Sequence, residues 1–235
     1  MSVIAQAGAK GRQLHKFGGS SLADAKCYLR VAGIMKEYSQ AGDMMVVSAA
    51  GSTTNQLISW LKLSQSDRLA AHQVQQSLRR YHTELIGGLL EPAAADTLIA
   101  AFIHDLERLA GLLDGGVSEA VYAEVVGHGE VWSARLMAAV LNQLGMEAAW
   151  LDARAFLRAE RAAQPQVDEG LSYPLLQQLM AQHPNKRLVV TGFISRNQAG
   201  ETVLLGRNGS DYSATQIGAL AGASRVTIWS DVAGV

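Results

Sequence analysis

Short apolar runs alternate along the chain with longer segments whose apolar residues recur at helical spacing. The wholly apolar run Met44–Val47 is typical of a strand buried on both faces of a parallel sheet. Four further β-rich runs are predicted as strands: Arg12–Phe17, Glu147–Leu151, Arg187–Gly192 and Arg225–Ser230. Strands that alternate with helices predict an α/β protein, here a three-layer α/β/α sandwich with a mostly parallel central sheet.

The first helix is expected directly after the first strand. Ser20 or Ser21 would begin it, and Asp24 lies three residues after Ser21, where it could complete a capping pair. Its core-facing side is predicted from spacings of three and four residues, which place four side chains on one face: Tyr28, Val31, Met35 and Tyr38.

The middle of the chain is predicted to be almost entirely helical. Residues 54–113 have helical periodicity with a break at Gly87-Gly88, and residues 117–144 are helical except for an expected interruption at 127–129. Residues 194–205 are predicted as a β-hairpin that turns at Asn197–Gly200, and Ser210–Gly222 as the last helix.

Composition narrows the class of protein. The 235 residues include 20 basic and 21 acidic side chains, a balance that argues against a nucleic-acid partner. Cys27 is the one cysteine, so the sequence has neither an internal disulfide nor a cysteine-based zinc site. The sequence contains no apolar run of about 20 residues and no signal-peptide pattern at its start. We therefore expect a soluble cytoplasmic protein with no membrane partner.

Common nucleotide-binding and hydrolase motifs are absent. The sequence has no GxxxxGK[ST], HExxH or GxSxG motif. Gly127–Trp132 begins like a dinucleotide fingerprint but has Trp132 where the third glycine belongs, which makes an NAD-dependent oxidoreductase a weak alternative. The six histidines, among them His15, His82 and His128, lack ligand spacing and are interpreted as structural or exposed.

Two glycine-rich loops combine charged side chains with backbone amides that no side chain covers. Lys16–Ser21 (KFGGSS) places a lysine and two glycines before a predicted helix, a pattern typical of an anion site, although a tight turn with a solvated lysine remains open. Arg207, in the loop Gly206–Asp211 (GRNGSD), could bind a carboxylate in a bidentate fashion. Asp211 in the same loop could instead only complement the helix dipole.

Two more segments carry candidate polar contacts. Ser48 and Thr54, near the end of the second strand, could donate to a carboxylate or phosphate, or could simply cap a helix. Glu130 lies among apolar residues and needs a partner there, either a ligand amine or an internal ion pair with Arg135. Together the loops suit an α-amino acid and a nucleoside triphosphate.

The same segments, with Thr191–Ile194 (TGFI), resemble the aspartokinases of the amino-acid-kinase superfamily, in the form fused to a homoserine dehydrogenase. The motifs occur in family order over essentially the whole chain. The resemblance implies transfer of the ATP γ-phosphoryl group to the β-carboxylate of L-aspartate, the first step of methionine, lysine and threonine biosynthesis. Glutamate, N-acetylglutamate, carbamate and UMP kinases of the same superfamily, and a non-catalytic aspartate-binding fragment, are the alternatives.

The resemblance also implies a role for each matched residue. Lys16 would bridge the transferring phosphoryl group, and Asp211 would orient Lys16. The phosphate oxygens would be held by Gly18, Gly19 and Ser20. The substrate side would be formed by Ser48, Thr54, Glu130, Phe193 and Arg207, with Arg207 on the α-carboxylate and Glu130 on the α-ammonium. Ser230 and Asp231 match the start of the family's nucleotide-binding segment.

Residues 1–235 are accordingly expected to form a single catalytic domain. In the family, the nucleotide-binding segment continues past the position of Val235, so we expect this domain to be incomplete at its C-terminal end. ATP would bind with Mg²⁺ held mainly by the phosphates. NADP would serve only a dehydrogenase part, which this chain lacks together with regulatory ACT modules. The resemblance further implies a homo-oligomer in the intact protein.

Overall fold

A computed structural model of the protein describes residues 11–206 and 208–230. The strands are β1 Gln13–Phe17, β2 Met44–Val47, β3 Ala148–Leu151, β4 Arg187–Thr191, β5 Ile194–Arg196, β6 Thr202–Leu204 and β7 Arg225–Trp229. The helices are α1 Ala25–Tyr38, α2 Thr53–Ser64, α3 Arg68–Gly87, α4 Pro92–Asp114, α5 Glu119–Gln143, α6 Glu169–Gln182 and α7 Gly209–Leu220.

Five strands form one sheet in the order β3-β4-β2-β1-β7, and every pairing in it is parallel. The central strand β2 is fully buried, as its four apolar residues predict. Strands β5 and β6 pair separately as the expected antiparallel hairpin.

Helices cover both faces of the sheet, which confirms the predicted three-layer architecture. On one face, Phe17, Met45 and Val47 pack in a core with residues of α1–α5. On the other face, Leu14, Met44 and Val46 pack with residues of α6 and α7. Among the described helices, none combines the length and apolarity required to cross a bilayer.

The start of α1 differs from the prediction. Ser20–Leu22 form a short 3₁₀ turn, and α1 begins only at Ala25. Asp24 is the N-cap itself, since its carboxylate accepts from the Cys27 backbone amide at 2.8 Å. Tyr38, predicted on the buried face, is 52% exposed.

Helix α5 also differs, because it runs unbroken through Gly127-His128-Gly129. A glycine inside a helix costs about 1 kcal/mol relative to alanine, but here both glycines allow close packing. A Cβ on Gly127 would lie 2.5 Å from Ile194 Cγ2 on the hairpin, and one on Gly129 would lie 2.8 Å from Ala49 Cβ. Tertiary contacts therefore explain the glycines that the sequence suggested as a break.

The sheet register brings three loops to one edge. Phe17 pairs with Val47, and Val47 pairs with Thr191, so β1, β2 and β4 end side by side. Ligands of open α/β sheets bind at the carboxyl ends of the strands. The loops after β1 and β2 contain polar contacts that the sequence predicts, and Phe193 lies shortly after β4.

Candidate active site

A cavity of about 430 Å³ opens at this carboxyl edge of the sheet. It is lined by most of the predicted site residues, namely Lys16, Gly18, Gly19, Ser20, Ser48, Thr54, Glu130, Phe193 and Asp211. The structure therefore brings together residues that lie on five separate segments of the sequence.

Lys16 and Asp211 form an ion pair inside the cavity. The Lys16 ammonium lies 2.6 Å from Asp211 Oδ1, and the Lys16 side chain is only 11% exposed. Lys16 lies near the carboxyl end of β1, whereas Asp211 lies in the first turn of α7. The carboxylate fixes the direction of an otherwise flexible lysine at the point where a phosphate would need a cation.

The loops after β1 and β2 contact each other through backbone atoms. The Gly51 amide donates to the Gly19 carbonyl at 3.0 Å. A Cβ on Gly19 would lie 2.8 Å from the Ala49 carbonyl oxygen, and Gly51 has a φ of +52°. Both positions therefore require glycine.

The 3₁₀ turn changes the expected basis of anion binding. A three-residue turn has almost no macrodipole, and α1 begins beyond it. At the β1 loop, Lys16 and the loop amides, not the N-terminus of α1, are therefore the source of positive potential for a phosphate.

Glu130 projects from α5 into the same cavity and is 3% exposed. The Ala49 backbone amide hydrogen-bonds its carboxyl group, but Oε2 is buried and has no hydrogen-bond partner. Burial raises the pKa of Glu130 to about 8, although the Ala49 hydrogen bond acts in the opposite direction.

The alternative ion pair between Glu130 and Arg135 is not formed. The Arg135 guanidinium instead lies 2.5 Å from Asp105 Oδ2. Glu130 is thus a buried carboxyl group whose free oxygen faces a cavity, an arrangement suited to a cationic ligand group.

Phe193 lines the cavity in a strained conformation, with a φ of +66°. Its amide donates to Ser213 Oγ at 3.1 Å, and its carbonyl accepts from the Leu205 amide at 2.8 Å. A Cβ on Gly209 would lie 2.6 Å from the Phe193 ring. The surrounding structure therefore imposes the conformation, as is common at ligand sites.

Of the three remaining predicted residues, two are not described by the structure and one lies elsewhere. Arg207 and Asp231 are outside the described residues, although Gly206 and Asn208 on either side of Arg207 line the cavity. Ser230 is exposed after β7 and does not line the cavity.

The surroundings of His128 could not be predicted from the sequence. His128 is 2% exposed and lies between two carboxylates, with Nε2 3.7 Å from Asp105 and Nδ1 3.6 Å from Glu124. Arg154, 7% exposed, also binds Glu124 at 2.7 Å. These residues do not line the Lys16 cavity, and the network links α5 to Asp105 of α4. Glu124 and His128 are one helical turn apart, but Asp105 and Arg154 are distant in sequence, so no local pattern indicated the whole network.

A larger cavity, of about 600 Å³, lies between the α2–α3 turn and the end of α4. It shares no lining residue with the Lys16 cavity, and no buried polar atom without a partner lines it in the described part of the chain. Volume alone therefore does not identify the site. The ion pair and the unpaired Glu130 oxygen favour the smaller cavity.

Comparison with known proteins identifies the family of the chain. Residues 11–235 match the model of the amino acid kinase family. The chain belongs to this family. The aspartokinase resemblance is also confirmed, since the chain is 85% identical over all 235 residues to the bifunctional aspartokinase/homoserine dehydrogenase 2 of Escherichia coli K12. An aspartokinase of Chlamydia pneumoniae is 33% identical over 225 residues, or 94% of the chain.

Solved structures agree with the fold. The structure of Escherichia coli aspartokinase III in complex with aspartate and ADP matches 95% of the present chain, with a TM-score of 0.85 and 28% sequence identity. The chain spans 29% of the bifunctional relative, 48% of the Chlamydia enzyme and 50% of the aspartokinase III chain.

Proposed function

We propose that the chain is the catalytic part of an aspartokinase. It would transfer the γ-phosphoryl group of ATP to the β-carboxylate of L-aspartate, which yields 4-phospho-L-aspartate and ADP. One observation carries this proposal: the Lys16 ammonium and the unpaired Glu130 oxygen line the same cavity. A phosphate requires a cation, and the amino group of a second substrate requires a carboxyl group that ionises when the amino group binds.

The nucleotide would bind at the β1 loop. Lys16, Gly18, Gly19 and Ser20 line that side of the cavity, and a Cβ on Gly18 would lie 3.6 Å from the Lys16 ammonium, so glycine at position 18 leaves the approach to that ammonium open. The complex of aspartokinase III with ADP supports nucleotide binding in a protein of this fold. Ser230 and Asp231 would begin a nucleotide-binding segment at the neighbouring end of β7.

Aspartate would bind between α5 and the β2 loop. Its α-ammonium would pair with Glu130, and its β-carboxylate would lie near Ser48 and Thr54. Arg207 would hold the α-carboxylate through its guanidinium fork. Phe193 would form the wall of the pocket on the hairpin side.

The chemistry needs no general base. The aspartate β-carboxylate, with a reference pKa near ~3.9, is already an anionic nucleophile at neutral pH. Its oxygen forms a bond to the γ-phosphorus while the bond from that phosphorus to the bridging β–γ oxygen breaks, and ADP leaves with the electron pair. Repulsion between anions is the main barrier, about 4 kcal/mol per pair of unit charges at ~4 Å and an effective dielectric constant near 20.

Lys16 offsets part of this repulsion where charge moves between the oxygens. Asp211 holds the ammonium in one direction, so little reorganisation is needed at the moment of transfer. Mg²⁺ would supply further positive charge on the phosphate oxygens. The ion would be held mainly by the ATP phosphates, and Asp211 lines the same cavity.

Phosphorylation assays on the intact protein that carries residues 1–235 test this proposal. ADP release is measured with L-aspartate, L-glutamate, N-acetylglutamate, carbamate or UMP as acceptor, and hydroxylamine traps any acyl phosphate as a hydroxamate. We expect ADP and hydroxamate in equal amounts with aspartate alone. Turnover with another acceptor in its place, or aspartate binding without ATP binding, would refute the proposal. The 235-residue chain in parallel tests whether this part suffices.

A further inference from the structure

Two adjacent residues of α3, Tyr81 and His82, contact the loops that form the cavity although neither lines it. The Tyr81 hydroxyl donates to the Ala23 carbonyl at 3.0 Å, directly after the 3₁₀ turn of the β1 loop. The same hydroxyl oxygen would lie 3.0 Å from a Cβ on Gly51. Tyr81 therefore sits against both loops at once.

His82 acts on the β2 loop through Thr53. His82 Nε2 lies 3.1 Å from Thr53 Oγ1, and that hydroxyl donates to the Ala50 carbonyl at 2.6 Å. The hydroxyl hydrogen is already used, so Nε2 must carry the hydrogen and donate to Thr53. Thr53 and Ala50 are both fully buried.

The His82 ring is itself held in a fixed place. It packs against the rings of Tyr81, Phe102 and Trp132 at centroid distances of 4.9–5.0 Å, and it is 2% exposed. Burial lowers the pKa of His82 to about 3, so the ring stays neutral in the physiological range. Trp132 belongs to α5, two residues after Glu130, so the same cluster also contacts the helix that carries Glu130.

We infer that Tyr81 and His82 are positioning residues that hold the β1 and β2 loops in the register needed for phosphoryl transfer. Tyr81 fixes the end of the loop that carries Gly18–Ser20, and His82 with Thr53 fixes the loop that carries Ser48. A displacement of about 1 Å between reacting groups can cost 10²-fold in rate. The inference deepens the proposed function, because the register matters only if both loops bind substrates.

Matched substitutions separate positioning from general stability. Tyr81→Phe removes one hydroxyl and keeps the ring, and Tyr173→Phe on the exposed face of α6 is its control. Thr53→Val breaks the link between His82 and Ala50, whereas Thr53→Ser keeps it. His82→Gln retains a donor near the position of Nε2, His82→Leu does not, and His104→Gln on α4 is the exposed control.

Two readouts are used on the intact protein, and the first does not depend on activity. In Tyr81→Phe, hydrogen exchange measured by mass spectrometry should be about tenfold faster in peptides 17–23 and 47–54. A change of this size corresponds to the loss of one net hydrogen bond. Thr53→Val should affect only peptide 47–54, and Thr53→Ser should restore the wild-type rate. Kinetics should show a raised KM for ATP in Tyr81→Phe and a raised KM for aspartate in Thr53→Val, each by about threefold to tenfold.

The possible outcomes distinguish this inference from the proposed function. Unchanged loop exchange in Tyr81→Phe and Thr53→Val, with kinase activity present, would overturn the positioning role. Faster loop exchange in a protein without kinase activity would keep the loop contacts and reject the aspartokinase proposal. If the variants exchange faster in every peptide, their role is general stability, and the inference is wrong.

Discussion

The Lys16 ammonium and the Asp211 carboxylate, 195 positions apart in the sequence, meet at 2.6 Å in the wall of one cavity. Lys16 lies on β1 and Asp211 in the first turn of α7, and the parallel register of the sheet brings both to the same edge. A lysine paired in this way keeps its direction but shares its charge with a carboxylate. The two residues should therefore differ in their contributions to rate.

Lys16→Ala in the active protein should lower kcat by at least about 10²-fold, comparable to the loss of a preorganised oxyanion donor. Asp211→Asn should cost less, about tenfold, because the lysine charge remains while its orientation is lost. Steady-state kinetics at saturating ATP and aspartate measure both. Lys26→Ala on the exposed side of α1 is the control. A decrease of less than threefold for Lys16→Ala would remove this residue from the mechanism.

Glu130 should make stability depend on pH. Its pKa is about 8 in the folded protein and ordinary in the unfolded chain, so the folded state holds the proton more tightly between these values. The stabilisation from the protonated group is complete below the unfolded pKa of ~4.3 and is lost as pH rises to about 8, at up to ~1.4 kcal/mol per pH unit.

Urea unfolding of the wild type and of Glu130→Gln between pH 5 and 9 measures this effect. The variant should become more stable relative to the wild type as pH rises, because glutamine is neutral throughout. Parallel pH profiles for the two proteins would show that Glu130 is ionised in the folded state, contrary to the expected burial effect.

Aspartate binding should release a proton below pH 8. An ammonium group pairs with ionised Glu130, so a group that is protonated in the empty site must lose its proton on binding. Affinity for aspartate should therefore weaken as pH falls from 8 to 6, by up to about tenfold per pH unit.

Calorimetry in two buffers with different ionisation enthalpies counts the protons released. Glu130→Gln should bind aspartate weakly, with no proton release from this position, and should discriminate poorly against succinate, which lacks the α-ammonium. Wild-type binding with the same enthalpy in both buffers would contradict the expected coupling.

The parts of the fold that could be predicted from sequence are those set by local pattern. Met44–Val47 is predicted to be a buried strand from its composition, and the structure has that strand at the centre of the sheet. The interruption expected in α5 was wrong because Gly127 and Gly129 serve contacts with Ile194 and Ala49 that no local pattern reveals.

The candidate site also contains some residues that local sequence indicates and others that only tertiary contacts reveal. Lys16, Glu130 and Asp211 could be selected from residue type and loop context, and the structure places all three at one cavity. His82 could not be selected, because its role depends on Thr53 and on the rings of Phe102 and Trp132, which are distant in sequence. Sequence context thus indicates groups that face a ligand better than it indicates groups that support them.

Gly129→Ala tests whether close packing of α5 on the β2 loop holds the site together. The added Cβ would lie 2.8 Å from Ala49 Cβ and 3.1 Å from Thr53 Cγ2, so the loop must move or the helix must shift. Overpacking of this kind costs about 1–3 kcal/mol of stability, and displacement of Ala49 would also remove its amide from Glu130.

Gly111→Ala is the matched control, because α4 offers open space at that position and alanine should stabilise the helix by about 1 kcal/mol. We expect opposite signs in urea unfolding and a loss of aspartate affinity for Gly129→Ala alone. A stabilising effect at position 129, with aspartate affinity retained, would mean that the loop yields freely and that its register is not set by this contact.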